Sequence, residues 1–329
     1  MSAVDAAAPK EMTGRILRIL SRHDVFVFLV ALAVVATISS PQFLTAANLT
    51  NVLNQSAALG ILSVGQFAVV VVGGFDLSVA AVMALSSVLL AKTEAIVGFG
   101  PAVLLAILAG TGCGLFNGLV VTWGRVQPLI ATLAMMGIAR GLAFSISERS
   151  ILVNDPTLAA LRGFDAVATV PILVWLTVVV VAALWFAKSR AALHIYAVGG
   201  NEQTARLAGV PADRIKIGVF TASGFLSGLA GVVLVIRSSS GVPLGGIGWE
   251  LDSIASIVIG GTNLFGGEGR LLNAMAGVVI YQMIANIMNL ANVNPFYQDI
   301  IRAAVIILAV GFSILRQRNA AKRAVLGRA

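Results

Sequence analysis

Apolar runs of about 20 residues follow one another along the chain, separated by short polar or glycine-rich breaks. Between Asn51 and Ala91 the only ionisable side chain is Asp76. Such a stretch has no polar face to offer water, and its length suits the bilayer core, which about 20 helical residues cross. Spans are predicted to begin near Val25, Asn51, Leu77, Pro101, Gln127, Val170, Ile217, Leu251, Leu271 and Asp299. The fold expected is an all-α integral membrane protein with about ten transmembrane helices, some broken at Gly-rich turns. The short alternating segments of a membrane β-barrel are absent from the sequence.

Charge tests this count. With the N-terminus in the cytoplasm, ten spans return the C-terminus there. Of the 22 basic residues, only Lys92, Arg149, Arg162 and Arg237 then fall outside, and Arg140 and Arg302 fall within spans. The rest lie on the cytoplasmic side, as the positive-inside bias requires, and losing one span would reverse the later half. The predicted organisation is a basic cytoplasmic tail (1–24), a transmembrane domain (25–316) with a long cytoplasmic loop (188–216), and a basic cytoplasmic tail (317–329). Within the first tail, Ile16 to Leu20 can form an amphipathic helix on the membrane surface. No small-residue site clearly ends the first apolar stretch, so a cleaved signal peptide is not expected.

Composition narrows the function. The chain is 58% hydrophobic and 11% charged, too few charges to cover a soluble domain. The net charge of +8 sits mostly at span ends, where it reads as a topology signal and not as a nucleic-acid surface. Cys113 is the single cysteine, and His23 and His194 lie far apart, so neither a disulfide framework nor a metal site is expected. No Gly-x-x-x-x-Gly-Lys-Ser/Thr loop, Ser-His-Asp set or carboxylate pair suited to catalysis is present. A non-catalytic chain is expected, with no cofactor of its own.

Several motifs carry candidate chemistry. Gly73-Gly74-Phe75-Asp76-Leu77-Ser78 lies between two apolar runs. Asp76 and Ser78 can cap the next helix, and a carboxylate at membrane depth is also a candidate for gating or transport. Residues 71–78 are echoed weakly by Val258 to Phe265, and paired glycine interruptions point to broken helices around a pathway. The stretch Gly260 to Arg270 is too glycine-rich for a helix and reads as a turn between close-packed helices more readily than as a phosphate loop. Gly110, Gly114 and Gly118, and Gly224 and Gly228, recur every four residues, the spacing of close helix packing within a subunit or between subunits. In the loop after Gly200, Asn201 is a plausible N-cap and Gly209 a plausible stop for a short helix carrying Glu202, Ala205, Arg206 and Leu207. Such a helix can dock into a groove on a partner or stay a plain surface helix. Gln66, Asp76, Asn117, Gln127 and Asn286 are the candidate pathway or gating residues, and for each a plain interhelical hydrogen bond is the competing role. Asp299 and Arg302, three apart, can pair on one helix face.

These blocks together resemble a known family. Gly73 to Ser78, Gly124-Arg125-Val126-Gln127-Pro128-Leu129-Ile130-Ala131-Thr132-Leu133, Tyr196 to Asn201 with Ala205 to Gly209, and Glu250 to Ala255 with Ile259 to Thr262 resemble, in order, the signatures of the ribose/xylose/arabinose-type permeases of ABC sugar importers. The resemblance runs from about Asn48 to Leu315. Asn273, where the family often has glycine, and Leu129, where it usually has phenylalanine, depart from it. The resemblance implies a permease subunit in the bacterial inner membrane, paired with a second copy as a homodimer, two separate ABC ATPase subunits that bind ATP and Mg, and a periplasmic sugar-binding protein. It implies alternating access driven by the ATPases, with Asn201 to Gly209 as the coupling helix and membrane lipid as the surrounding solvent. The alternative is a self-sufficient carrier coupled to H⁺ or Na⁺ through Asp76 or Asp299.

Overall fold

The computed structural model describes residues 24–162 and 169–305, together with 307, 308 and 311. The predicted tails 1–24 (save Asp24) and 317–329, with the Ile16 to Leu20 segment, lie outside the described residues. The helices are α1 (Asp24–Ser39), α2 (Ala46–Val71), α3 (Val79–Val97), α4 (Phe99–Thr122), α5 (Pro128–Ile146), α6 (Pro156–Arg162), α7 (Val170–Lys188), α8 (Arg190–Gly200), α9 (Glu202–Leu207), α10 (Ala212–Ser238), α11 (Trp249–Ile259) and α12 (Leu271–Leu290). A further helical run covers 295–305. Two strands of two residues, β1 (Ile151–Leu152) and β2 (Ser240–Gly241), pair antiparallel.

Each predicted span start falls close to a helix start, but among the described residues only seven helices (α2, α3, α4, α5, α7, α10 and α12) are long and apolar enough to cross a membrane. The chain is therefore an all-α, multi-pass protein by length and composition. The clearest exception is α11. Its 11 residues rise about 16 Å, roughly half of a 30 Å hydrocarbon core.

The layers follow from burial. Helix α2 is the hub, 89% buried over its apolar window, with α10, α12 and α3 next. Helices α4, α5 and α7 stay largely uncovered, between 22% and 28% buried, which is what lipid-facing or partner-facing helices require. The most extensive helix pair is α4 with α10, and glycines make it. A Cβ at Gly110 would stand 2.6 Å from the Gly224 carbonyl oxygen, one at Gly114 2.8 Å from the Gly224 Cα, and one at Gly118 2.9 Å from the Ile217 Cα. The four-residue glycine spacing thus serves packing within the subunit.

The sequence echo is a real geometric repeat, displaced by one residue. In α2 the amides of Val72, Gly73 and Gly74 bond the carbonyls of Ala68, Val70 and Val69; after α11 the amides of Gly260, Gly261 and Thr262 bond Ser256, Val258 and Ile257 in the same pattern. Both are Schellman ends, and the residue required in the left-handed region is Gly73 (φ 89) in one and Gly261 (φ 82) in the other. Gly73 therefore corresponds to Gly261, not to Gly260 as the sequence alignment suggests.

The predicted inner breaks (Gly73–Ser78, Gly124–Gln127, 188–216 and Gly260–Arg270) gather at one end of the bundle. The pairing of β1 with β2 gathers the loops after α5 and α10 at the other. Between Lys188 and Lys216 the sequence suggests only one short helix, but α8 precedes it. The Ser189 hydroxyl accepts the Ala191 amide at its start, and Ala192, Ile195 and Val198 form its buried stripe.

Replacing Gly224 by valine drives a branched side chain into α4 and is expected to lower the detergent melting temperature sharply, consistent with the 1–3 kcal/mol or more of overpacking. Gly112→Ala, on the same α4 but with no atom within 4 Å of the added carbon, should melt at or slightly above wild type. Equal melting of the two variants in a thermal-shift assay would refute the packing account.

Candidate functional site

The unit α8–α9–α10 projects at the glycine-break end. Helix α9 is six residues long, too short to persist alone, so its ends and side chains must hold it. At its start the Asn201 Oδ1 accepts the Thr204 amide at 2.8 Å. At its end the Gly209 and Val210 amides bond the Arg206 and Ala205 carbonyls, repeating the Schellman pattern. Ala205 is buried against the bundle while Leu207 is 85% exposed, an apolar side chain offered to a partner or to solvent.

Charge fixes its outer face. Arg206 pairs with Glu202 at 2.9 Å and with Asp213, and Lys216 pairs with Glu202. Burial alone would raise the Glu202 carboxyl, but hydrogen bonds from Lys216 and Arg206 outweigh it and hold the group below the ordinary range. Hydrogen bonds to Asp213 and Glu202 push the Arg206 guanidinium further up. A cavity of about 810 Å³ opens beside the cluster, lined by Trp123, Arg125 and Gln127 of the α4–α5 turn and by Glu202, Arg206 and Lys216.

Behind α9, three chain segments meet with backbone against backbone. The Gly267 amide donates to the Val71 carbonyl at 2.9 Å, satisfying one of the carbonyls left over at the end of α2. Gly199, at the end of α8, sits against the same carbonyl so closely that any Cβ there would overlap it. A Cβ on Gly266 would stand 3.0 Å from the Gly73 Cα, and one on Gly267 2.7 Å from the Gly200 Cα. The Tyr196 hydroxyl donates to the Gly269 carbonyl at 2.9 Å, and its ring joins Phe186 and Phe67 in an edge-to-face row. The α8–α9 corner is thus seated directly on both glycine breaks.

The first break leads to a buried polar network. Asp76 is 1% exposed. Its Oδ1 accepts the Ser78 amide at 3.0 Å and hydroxyl at 2.6 Å, and its Oδ2 accepts the Ser223 hydroxyl of α10 at 2.8 Å. The Asn117 side-chain amide donates to Ser78 at 3.0 Å. Ser78 occupies the N-cap of α3, yet its side chain makes no capping bond, because its hydroxyl is already engaged by Asp76 and Asn117. Ser223 joins the set unforeseen; its only advance signal was its place one residue before Gly224 on the close-packed face of α10.

The other candidates do not assemble with it. Gln66 is fully buried, and neither of its amide atoms finds a hydrogen-bond partner among the described residues. Gln127 lies exposed at the mouth of the cavity. Asn286 exchanges two hydrogen bonds with Asn48, at 3.0 and 2.8 Å, which ties α12 to α2. Asp299 and Arg302 pair at 3.7 Å, as their spacing predicts. Among the described residues no group of three or more His, Cys, Asp or Glu is placed to hold a metal ion.

Residues 48–310 match the family described as branched-chain amino acid transport system / permease component. The chain belongs to that family. Among its curated relatives, the ribose import permease of Escherichia coli K12 is 38% identical over 302 residues, covering 89% of this chain and 93% of the relative. The L-arabinose transport system permease of the same organism is 37% identical over 315 residues, 94% of each chain. The ribose import permease of Bacillus subtilis is 35% identical over 298 residues, 89% of this chain and 92% of the relative. No solved structure matches the chain. The family match includes α8, α9, both glycine breaks and the Asp76 network, so the site just described lies wholly inside the permease component.

Asn201→Ala removes the cap and is expected to weaken α9 by about 1 kcal/mol, read as faster hydrogen exchange at 204–208 with α10 unchanged. The depressed Glu202 carboxyl sets the pH behaviour. Its contribution is fully present above the ordinary glutamate value of 4.5 and is lost as pH falls through the lower folded value. Exchange protection of α9 should therefore be flat from pH 6 to 8 and decline only below about pH 4.5; a decline near pH 6 would contradict the ion cluster.

Proposed function

We propose that this chain is the membrane-spanning permease subunit of an ATP-binding cassette importer of the bacterial inner membrane, moving a monosaccharide of the ribose or arabinose kind by alternating access. The observation that carries this reading is the seating of the α8–α9 corner on both glycine breaks. An ATPase that grips α9 from the cytoplasm would pull on Gly199, and Gly199 cannot shift without displacing the ends of α2 and of the 260–270 turn. The family membership and the ribose and arabinose permeases among its relatives support the substrate class.

In this reading both termini are cytoplasmic, the chain pairs with a second copy, and separate ATPase subunits bind ATP and Mg and hydrolyse the nucleotide. A periplasmic binding protein delivers sugar at the β1–β2 end. Asn201, Glu202, Ala205, Arg206, Leu207 and Gly209 form the coupling element. Leu207 supplies the exposed apolar contact, and the Glu202–Arg206–Asp213–Lys216 cluster keeps the helix rigid enough to transmit force. Asp76, held by Ser78 and Ser223, keeps α3 locked to α10 as the break moves.

Tagged protein purified from native membranes should bring down an ATPase with a phosphate-binding loop in about equal amount; recovery of the chain alone, with proton- or sodium-driven uptake in liposomes, would establish a secondary carrier instead. In the assembled importer, Arg206→Glu places a third carboxylate beside Glu202 and Asp213, and Gly209→Pro removes the amide that bonds Arg206. Both should cut sugar-stimulated ATP hydrolysis tenfold or more while leaving membrane insertion intact. Wild-type stimulation in both would exclude α9 as the coupling element.

A further inference from the structure

Helix α11 starts in the middle of the bundle. It runs antiparallel to α12, with Gly260 packed on Ala274, Gly277 on Ser256, and Asp252 hydrogen-bonded by the Tyr281 hydroxyl. Its end is therefore level with the start of α12, and its first turn is level with Tyr281, at the midpoint of that 20-residue helix. The chain reaches this depth through the irregular segment 242–248, where the Arg140 Nη1 of α5 donates to the Pro243 and Gly245 carbonyls at 2.6 and 3.2 Å.

Charged side chains from three elements lie within reach of one another there, beside Tyr281 of α12. Glu250 and Asp252 lie in the first turn of α11. Arg140 is within electrostatic reach of Glu250, and Arg302 and Asp299 are within reach of Asp252. Tyr281 is 4% exposed and hydrogen-bonds Oδ1 of Asp252, leaving Oδ2 without a hydrogen bond among the described residues. The Nε of Arg302 is buried and makes no hydrogen bond among the described residues. Ionisable groups at membrane depth are expensive and are retained for function, and a half-helix that begins at the midplane is where transporters hold their solutes. Glu202 and Arg206, by contrast, sit at the bundle end and need no such explanation.

We propose that Asp252, Tyr281 and Arg302, with Glu250 and Arg140 beside them, form a binding station for the hydroxyl groups of a neutral sugar half-way along the translocation route. The inference rests on the importer reading above. Asp252 Oδ2 accepts from one sugar hydroxyl while the Arg302 guanidinium donates to a neighbouring oxygen. Two arginines against three carboxylates leave little net charge, which suits an uncharged polyhydroxylated solute better than an ion. A station of this kind discriminates by hydrogen bonds that a deoxy sugar fails to make.

The test uses the importer reconstituted in liposomes with its ATPase and binding protein, carrying ribose, L-arabinose and their monodeoxy analogues, and reads sugar moved per ATP hydrolysed. In wild type one deoxy analogue should be carried at least about fivefold less well than its parent, and in Asp252→Asn that penalty should fall to about a third of its wild-type value or less. The binding protein's own preference enters both measurements equally and cancels in the comparison. An unchanged penalty in Asp252→Asn, a wild type indifferent to every deoxy position, or a variant that transports like wild type overturns the station and leaves the importer reading standing. If Asp252→Asn fails to co-purify with the ATPase, Tyr281→Phe carries the same comparison. A wild type that moves no sugar with its ATPase overturns the importer reading and the station together.

Discussion

The contact between α4 and α10 is the constraint on which the rest depends. Side chains normally hold helices 8–10 Å apart; here glycines let main chain approach main chain. That closeness fixes the azimuth of α10, and α10 then serves two sites and connects a third. Ser223, beside Gly224, is delivered to Asp76. Its first turns supply Asp213 and Lys216 to the α9 cluster. Its last residue leads into the left-handed Ser239 and the strand pair at the far end. A single 27-residue helix, about 40 Å long, thus joins the α9 cluster to the opposite end of the bundle, so a tilt at one end becomes a displacement at the other.

The second structural idea is the use of backbone as a mechanical part. Where Gly199, Gly266 and Gly267 meet Val71, there is no side chain to change rotamer and absorb a push. Packed interfaces respond by moving as a unit and not by yielding continuously. A junction of amide on carbonyl is therefore a stiff transmission between α9 and the breaks in α2 and after α11. The aromatic row of Phe67, Phe186 and Tyr196 braces it from the side.

Much of this could be read in the chain. Hydrophobic run length placed each predicted span start within about five residues of a helix start, though only seven of the described helices have membrane-spanning length, and glycine spacing anticipated the α4–α10 face, because both are local signals with simple physical causes. Asn201 and Gly209 announced the ends of α9 through capping chemistry alone. What escaped was whatever depends on three dimensions. Helix α8 was hidden by the polar loop around it, although Ala192, Ile195 and Val198 already carried its stripe. The frame of the glycine echo was set by hydrogen bonding and not by residue identity. Gln66, Asp76, Asn117, Gln127 and Asn286 looked alike as polar residues in or near apolar runs, but only Asp76 and Asn117 share a network, because helix rotation and depth decide which polar groups meet. The hydrogen bond from Tyr281 to Asp252 could not be foreseen, because it depends on how α11 lies against α12.

The short span of α11 has a consequence for the circumference of the subunit. Residues 242–248 carry irregular backbone to the middle of the bundle, where Ser87 holds the Val242 amide and Arg140 the Pro243 and Gly245 carbonyls, and hydrocarbon could satisfy none of the groups that remain. That flank must therefore border water or another polypeptide, while the sparsely covered, unbroken α7 can border acyl chains. The molecule is thus polarised around its axis as well as along it, with a wet or occupied flank and a greasy one, and any assembly it enters has to orient the two accordingly.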